Sequence, residues 1–359
     1  MNEAQLDILN SFLQANKETV DQYGYKQRRI LLIDGLNNFI RSFVVVGIAN
    51  DNGEFFGGVF GTLQTIKLLV ETFSPNIVVW CWEGKNSGKR RREIFENYKA
   101  GRKTRTSLTR VFEFASPEEE KKNMRQQLIR VKEYLSVLPV YQFEIENLEA
   151  DDTIAYIVNN LFKKDKKIIV SSDRDYWQLI DDNVNVFRPV KRETITKKEV
   201  LDEFGCSPQN YALVKAVVGD KSDEIPGLQK GLGPKTVIKL FPFLAEEKKY
   251  EIADILDYAQ KSSNLKLAEK YSVFKDQVSV DLFKRNYSLV QLREYNINTI
   301  DTQRIRELFI TQKPQFSVSQ LMLYFMNDRL NSQIKRYDDW HKLFLKVNAT
   351  KLLNEEDIL

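Results

Sequence analysis

The hydrophobic positions along this chain follow two rhythms, and the change falls near residue 197. Before it, short unbroken apolar runs alternate with longer stretches of helical period. Residues 30–33 and 77–82 (IVVWCW) are such runs, and 166–173 (KKIIVSSD) and 184–189 (VNVFRP) hold shorter ones, with Gly, Pro and Asp nearby. They predict strands buried on both faces, with a further strand at 140–144. Between them, 59–73, 116–138 and 148–161 carry apolar residues at helical spacing. The second of these helices has a cap at Ser116, Pro117 in its first position and Glu119 three residues after the cap, and Pro139 stops it. Helix and strand alternating at this spacing predict an α/β domain over 28–196, with a mostly parallel central sheet flanked by helices. Residues 1–27 read as a polar helical extension whose apolar face holds Leu6, Leu9 and Leu13. After 197 the runs shorten to helix candidates at 196–204, 210–218 and 235–241, separated by Gly and Pro turns. This predicts a helical domain over 197–300 and a helical C-terminal extension over 301–359, the latter without a recognisable motif.

Composition narrows the chemistry. The 359 residues are 42% hydrophobic and 29% charged, a globular balance with room for a substantial core. No apolar run approaches the roughly 18 residues of a membrane span, and the polar, acidic start is unlike a secretory signal. A soluble cytoplasmic protein with no membrane partner is expected. Cys81 and Cys206 lie far apart inside predicted elements, which gives neither a disulfide framework nor a thiolate zinc site. With His341 as the single histidine, most imidazole acid–base chemistry and the usual zinc enzymes are excluded. Catalysis is left to carboxylates, lysines, arginines, hydroxyls or a cofactor.

The formal charge of +4 conceals an uneven distribution. Residues 84–110 hold ten Lys or Arg against Glu93 and Glu96, which is +8 in 27 residues. Phe95 and Tyr98 interrupt this run, and basic groups interleaved with aromatics suit a polyphosphate backbone with stacked bases.

Three predicted strands end in acids: Asp34, Glu83, and Asp173 with Asp175. Such pairs also make turns and caps, but in open parallel sheets the ligand site lies beyond the carboxyl ends of the strands. Two further clusters add Glu149, Asp151 and Asp152 (EADD) and Asp220 and Asp223 (GDKSDE), each with an i,i+3 pair. Nine acids in one cleft would repel and raise one another's pKa, a penalty that hard divalent cations remove. Two Mg²⁺ ions about 3.5–4 Å apart are the standard clamp for phosphodiester hydrolysis, which needs no histidine. Lys99 and Arg102 are the members of the basic run best suited to contact the scissile region.

A glycine-rich turn follows. Gly227, Gly231, Gly233 and Pro234 precede a helix beginning near Lys235, as in a helix-hairpin-helix whose backbone N–H groups face a phosphate. The order of a Walker A loop is absent, so ATP hydrolysis lacks support.

Taken together, LLIDG at 31–35, ENYKAGR at 96–102, EADD at 149–152, SSDRDYWQLI at 171–180, and GDKSDEIPG with GLGPKT across 219–236 resemble the 5′-nuclease superfamily. That superfamily comprises flap endonucleases, phage 5′–3′ exonucleases and the N-terminal nuclease domain of bacterial DNA polymerase I. The resemblance covers about 28–245, and the Asn- and Lys-rich surroundings favour a phage member. It implies a PIN-like 5′-nuclease fold with a helical arch over about 85–125 and a helix-hairpin-helix over about 205–245.

By resemblance, Asp34, Glu149, Asp151 and Asp173 lie in or beside a first metal site, with Asp152 nearby, while Asp175, Asp220 and Asp223 shape a second. Lys99 with Arg102 resembles the basic pair at the foot of the arch, and Asp34 and Asp173 join them as catalytic residues. Arg91, Tyr98, Lys103, Gly231, Gly233 and Lys235 are expected at the DNA, with Tyr98 stacking on a base. Two Mg²⁺, replaceable by Mn²⁺, and K⁺ at the hairpin are the implied cofactors. Two departures stand out. Glu83 occupies a position where the family usually has aspartate, and the turn Gly227-Leu228-Gln229-Lys230-Gly231-Leu232-Gly233 is one residue longer than the common form.

The implied activity is structure-selective hydrolysis at 5′ ends, flaps or RNA primers of branched, nicked or primed duplex DNA. The protein is expected to act as a monomer, with replication proteins as partners. The rival readings are a ribonuclease acting mainly on RNA–DNA hybrids and a catalytically weakened nucleic-acid-binding protein. A metal-dependent phosphatase would explain the acids but neither the basic run nor the hairpin.

Overall fold

Strand β1 (Arg29–Asp34) is apolar throughout its interior because both its faces are covered. Ile30 and Leu32 enter a core on one side of the sheet, and Leu31 and Ile33 enter a second core on the other. The computed structural model describes residues 27–101, 108–263, 267–293, 297–330, 332–334, 337–345 and 347. The helix expected within 1–27 therefore lies outside the described residues.

From β1 the chain runs through α1 (Gly35–Val45) and α2 (Gly57–Phe73) to β2 (Ile77–Trp82), then α3 (Lys89–Ile94) and α4 (Pro117–Ser136). It continues through β3 (Tyr141–Glu144), α5 (Ala150–Asn160), β4 (Lys166–Val170), a 3₁₀ segment (Arg174–Leu179), β5 (Val184–Arg188) and β6 (Glu193–Ile195). Sheet order is β3-β2-β1-β4-β5-β6, with all pairs parallel except β5 with β6. The expected mostly parallel sheet is present, and the short antiparallel edge strand β6 is an addition to it. As predicted, Ser116 caps α4 by accepting the Glu119 N–H, with Pro117 in the first turn.

The remaining elements are helices: α6 (Lys197–Phe204), α7 (Tyr211–Val218), α8 (Pro234–Leu240), α9 (Ile252–Lys261), α10 (Ala268–Ser272), α11 (Gln277–Val290), α12 (Thr299–Thr311), α13 (Val318–Asn327) and α14 (Tyr337–Phe344). No core boundary accompanies the change of rhythm at 197. One apolar cluster runs from Ile30 and Ile169 on the sheet through Ile154 on α5 to Val214 on α7 and Phe283 on α11. α12 continues it beside β3, where Phe309 stacks edge-on with Phe143 at 4.7 Å and Phe162 at 5.2 Å. Just beyond α12, Gln312 Nε2 donates to the Gln142 carbonyl (2.7 Å) and its Oε1 accepts the Gln142 N–H (3.0 Å). α13 and α14 join the opposite core through Leu321, Phe325, Trp340 and Phe344.

α11 acts as a strut. The buried Asn286 donates from Nδ2 to the carbonyls of Ala216 (3.0 Å) and Pro226 (2.7 Å), which fixes α7 to the turn that follows it. Three residues on, the Leu289 carbonyl accepts from Arg91 Nε at 3.2 Å. One helix thus holds both the basic segment and the glycine-rich hairpin against the sheet.

Candidate metal and nucleic-acid site

The three central strands deliver acids to one edge of the sheet. Asp34 ends β1 and caps α1, accepting the Asn37 N–H at 3.2 Å. Its other oxygen accepts from the hydroxyls of Ser171 (3.0 Å) and Tyr176 (3.3 Å). Burial raises its pKa, and those hydrogen bonds oppose the rise. The same Ser171 hydroxyl accepts the Asp173 N–H at 3.0 Å, which ties the β4 acid to the β1 acid. Asp173 in turn caps the 3₁₀ segment through the Asp175 N–H at 2.9 Å.

Glu83 follows β2 and accepts the Ala150 N–H at 3.3 Å. Its approach to α5 depends on Gly84, where an added Cβ would lie 1.7 Å from the Ile145 carbonyl oxygen. Burial, together with the charges of Glu149 and Asp34, pushes the Glu83 carboxyl up to about 7.

Two trios of acids follow. Glu149 caps α5, and Asp152 reaches back to accept the Glu149 N–H at 3.1 Å, so one helix start gathers Glu149, Asp151 and Asp152. One oxygen from each lies within 4.8 Å of the others, and the same holds for Asp175, Asp220 and Asp223. In the second trio, Asp220 and Asp223 come from the turn after α7. That turn closes tightly, since a Cβ on Gly219 would sit 2.4 Å from Gly227 N. Hard oxygen donors in groups of three fit a Mg²⁺- or Mn²⁺-type ion, and no sulfur or imidazole intrudes among them. All nine predicted acids are thus brought to one end of the sheet and the adjoining turn.

Cations are built into both trios. Arg91, only 2% exposed, bonds Glu149, Asp151 (3.2 Å) and Asp152 (3.0 Å), while Arg90 reaches Asp152 at 2.8 Å. Lys99 bonds Glu149 as well. Burial alone would raise the Glu149 pKa, but Arg91 and Lys99 hold it down at about 2. In the second trio, Lys215 on α7 bonds Asp175 and, at 2.7 Å, Asp220. Burial carries Asp175 up to about 7 against the pull of Lys215. At Asp220, Lys215 and Ser222 overcome burial and lower the pKa to about 2.

Two residues expected at DNA sit elsewhere. Arg91 is sequestered by the acids. Tyr98 is buried, donates its hydroxyl to Glu149 at 3.2 Å, and has the Lys99 ammonium 4.8 Å from its ring centre, so no ring face is left for a base. The cause in both cases is the density of carboxylates beneath the basic segment. Lys99 itself has left-handed backbone (φ 58°), and its N–H donates to the Asp223 carbonyl at 3.1 Å. Arg102 and Lys103 lie outside the described residues.

Gly231 and Gly233 sit on the hairpin between α7 and α8, with the exposed Lys235 in the first turn of α8, and a Cβ added at either glycine meets nothing within 4 Å. A cleft of about 440 Å³ runs from Asp173 and Asp175 past Lys215 and Asp220 to Pro234 at the start of α8. It joins the acids to the hairpin.

Sequence reasoning missed Lys215 and Arg90. Lys215 left a trace, as one lysine within the apolar run YALVKAVV. Arg90 appeared only as one of the ten cations in 84–110, because its partner is 62 residues away.

The family described as 5′–3′ exonuclease, N-terminal resolvase-like domain, matches residues 29–205. A 5′–3′ exonuclease of Bacillus subtilis is 33% identical over 238 residues, covering 64% of this chain and 72% of the relative. One from Aquifex aeolicus is 30% identical over 215 residues, covering 59% and 68%. Among solved structures, a bacteriophage T5 flap endonuclease in complex with DNA and metal ions shares the fold, with a TM-score of 0.59 and 20% identity over 86% of this chain and all of that one.

Proposed function

The chain belongs to the 5′–3′ exonuclease family, and from that premise we propose that it is a structure-selective, Mg²⁺-dependent 5′ nuclease. Its substrates are the 5′ ends, flaps and RNA primers of branched, nicked or primed duplex DNA, met in the cytoplasm during replication or repair. The observation that carries the reading is the convergence of nine acids, two trios among them, beside a basic segment and a hairpin.

Glu149, Asp151 and Asp152 with Asp34 and Asp173 would hold one ion, and Asp175, Asp220 and Asp223 the other, with Glu83 between Asp34 and Glu149. When bound, such ions supply a water-derived hydroxide and neutralise charge on the phosphate oxygens. The residues of the chain do the rest. Lys99, tied by its backbone N–H to the Asp223 carbonyl and by its ammonium to Glu149, would turn that ammonium from Glu149 to the scissile phosphate. Arg102, three residues on, belongs to the same basic group. The open glycines of the hairpin let a duplex backbone approach Lys235, a contact that carries no base identity. K⁺ at this turn would assist the same grip.

The test is cleavage of end-labelled flap, nicked, gapped and RNA-primed duplexes with Mg²⁺, by wild type and Asp173→Ala. The variant should lose cleavage and keep duplex binding. Cleavage surviving in Asp173→Ala would overturn the ligand assignment. Cleavage restricted to RNA-primed substrates would replace the reading by a hybrid-directed ribonuclease.

A further inference from the structure

α7 is an apolar helix with one exception. Ala212, Leu213, Val214, Ala216 and Val217 are buried, and Lys215 is set among them with a side chain only 11% exposed. A buried ammonium persists only where charge partners compensate its desolvation. Its partners here are Asp175 and Asp220, two of the three acids in the second trio. The lysine therefore stands where a cation bound by those acids would stand.

We propose that Lys215 is the resident counter-ion of the Asp175–Asp220–Asp223 cluster, so that a divalent ion enters this cluster only in exchange for the lysine ammonium. The inference rests on reading these acids as metal ligands. Two features favour exchange. Lys215 lines the cleft of about 440 Å³, so its flexible stem has room to carry the ammonium away from the acids. The first trio provides the contrast. Arg91 is fixed by carboxylates on one side and by the Leu289 carbonyl through Nε on the other, and its planar fork has no such exit. Arg91 thus stays beside any ion that the first cluster binds, whereas Lys215 can leave the second. Lys215 would accordingly set the affinity of the second ion, acting as a positioning residue with no contact to the reacting atoms.

The test uses the full chain without DNA, titrated with Mn²⁺ in a calorimeter and melted in EDTA and in Mn²⁺. Lys215→Met should bind one Mn²⁺ at least tenfold tighter than wild type. Its melting temperature should be lower in EDTA and should rise more on adding Mn²⁺. Lys215→Arg should not show the gain, and adding Asp220→Asn to Lys215→Met should remove it. Unchanged or weaker Mn²⁺ binding by Lys215→Met overturns the proposal. Should Lys215→Met fail to fold with and without Mn²⁺, Lys215→Gln is read in the same way. Failure of both would make Lys215 a structural support and overturn the proposal equally. Wild type binding no Mn²⁺ would instead remove the metal reading of the acids altogether.

Discussion

Replacing Glu83 by Gln probes the electrostatics of the acid cluster most directly. Burial and the nearby Glu149 and Asp34 lift the Glu83 carboxyl from the usual 4.5 to about 7 in the metal-free protein. Between those values the native state binds a proton that the unfolded chain releases, so stability falls as pH rises. The contribution is fully present below about pH 4.5 and is lost by the time pH has passed about 7. A shift of this size is worth roughly 3 kcal/mol at about 1.36 kcal/mol per unit. Glu83→Gln preserves the acceptor for the Ala150 N–H and abolishes the charge. In EDTA the variant should match wild type near pH 4.5 and exceed it by up to roughly 3 kcal/mol near pH 8. Saturating Mg²⁺ should cancel or reverse that gain, since a bound cation favours the carboxylate. Urea unfolding followed by tryptophan fluorescence at both pH values measures it. A difference independent of pH, or a variant less stable than wild type near pH 8 in EDTA, would refute the reasoning.

Two further outcomes follow from single contacts. Lys99→Ala should slow single-turnover cleavage of flap substrates by ~10²–10³-fold, the usual effect of removing one electrostatic donor, with substrate binding much less affected; an unchanged rate would remove Lys99 from the scissile phosphate. Asp165→Ala removes the carboxylate from the buried Arg28, bonded at 2.6 Å where β1 and β4 begin. Urea unfolding should then show a loss of about 3–5 kcal/mol, while activity per folded molecule is retained.

The strands and their terminal acids were legible because both are local facts. An unbroken apolar run fits a sheet covered on both faces, and an acid directly after it must emerge at the strand end. α1 was not legible. Its sequence GLNNFIRSFVV opens on Gly and carries paired Asn, and its helix rests on the Asp34 cap and on burial of Phe39 and Phe43. The basic segment was recognised but misread in detail. Arg91 and Tyr98 were expected at the DNA, whereas both are committed to acids more than 50 positions away. The strut α11 was invisible, because Asn286 finds its partners 60 and 70 residues distant. Lys215 could have been found by asking why an apolar helix tolerates one charge.

β3 ends the sheet, and a strand in that position offers its free backbone to any passing chain. Gln312 closes the Gln142 peptide with a side-chain amide, and Phe309 shields the rings beside it. The family match stops at residue 205, so a fragment cut by motif coverage would keep all six strands and shed this guard. Even a chain ended at 300, with all nine acids intact, would expose an open, ring-flanked template for intermolecular strand pairing. α12 and Gln312 therefore cover this edge, and a fragment ended before Gln312 is expected to self-associate more readily than one that extends beyond it.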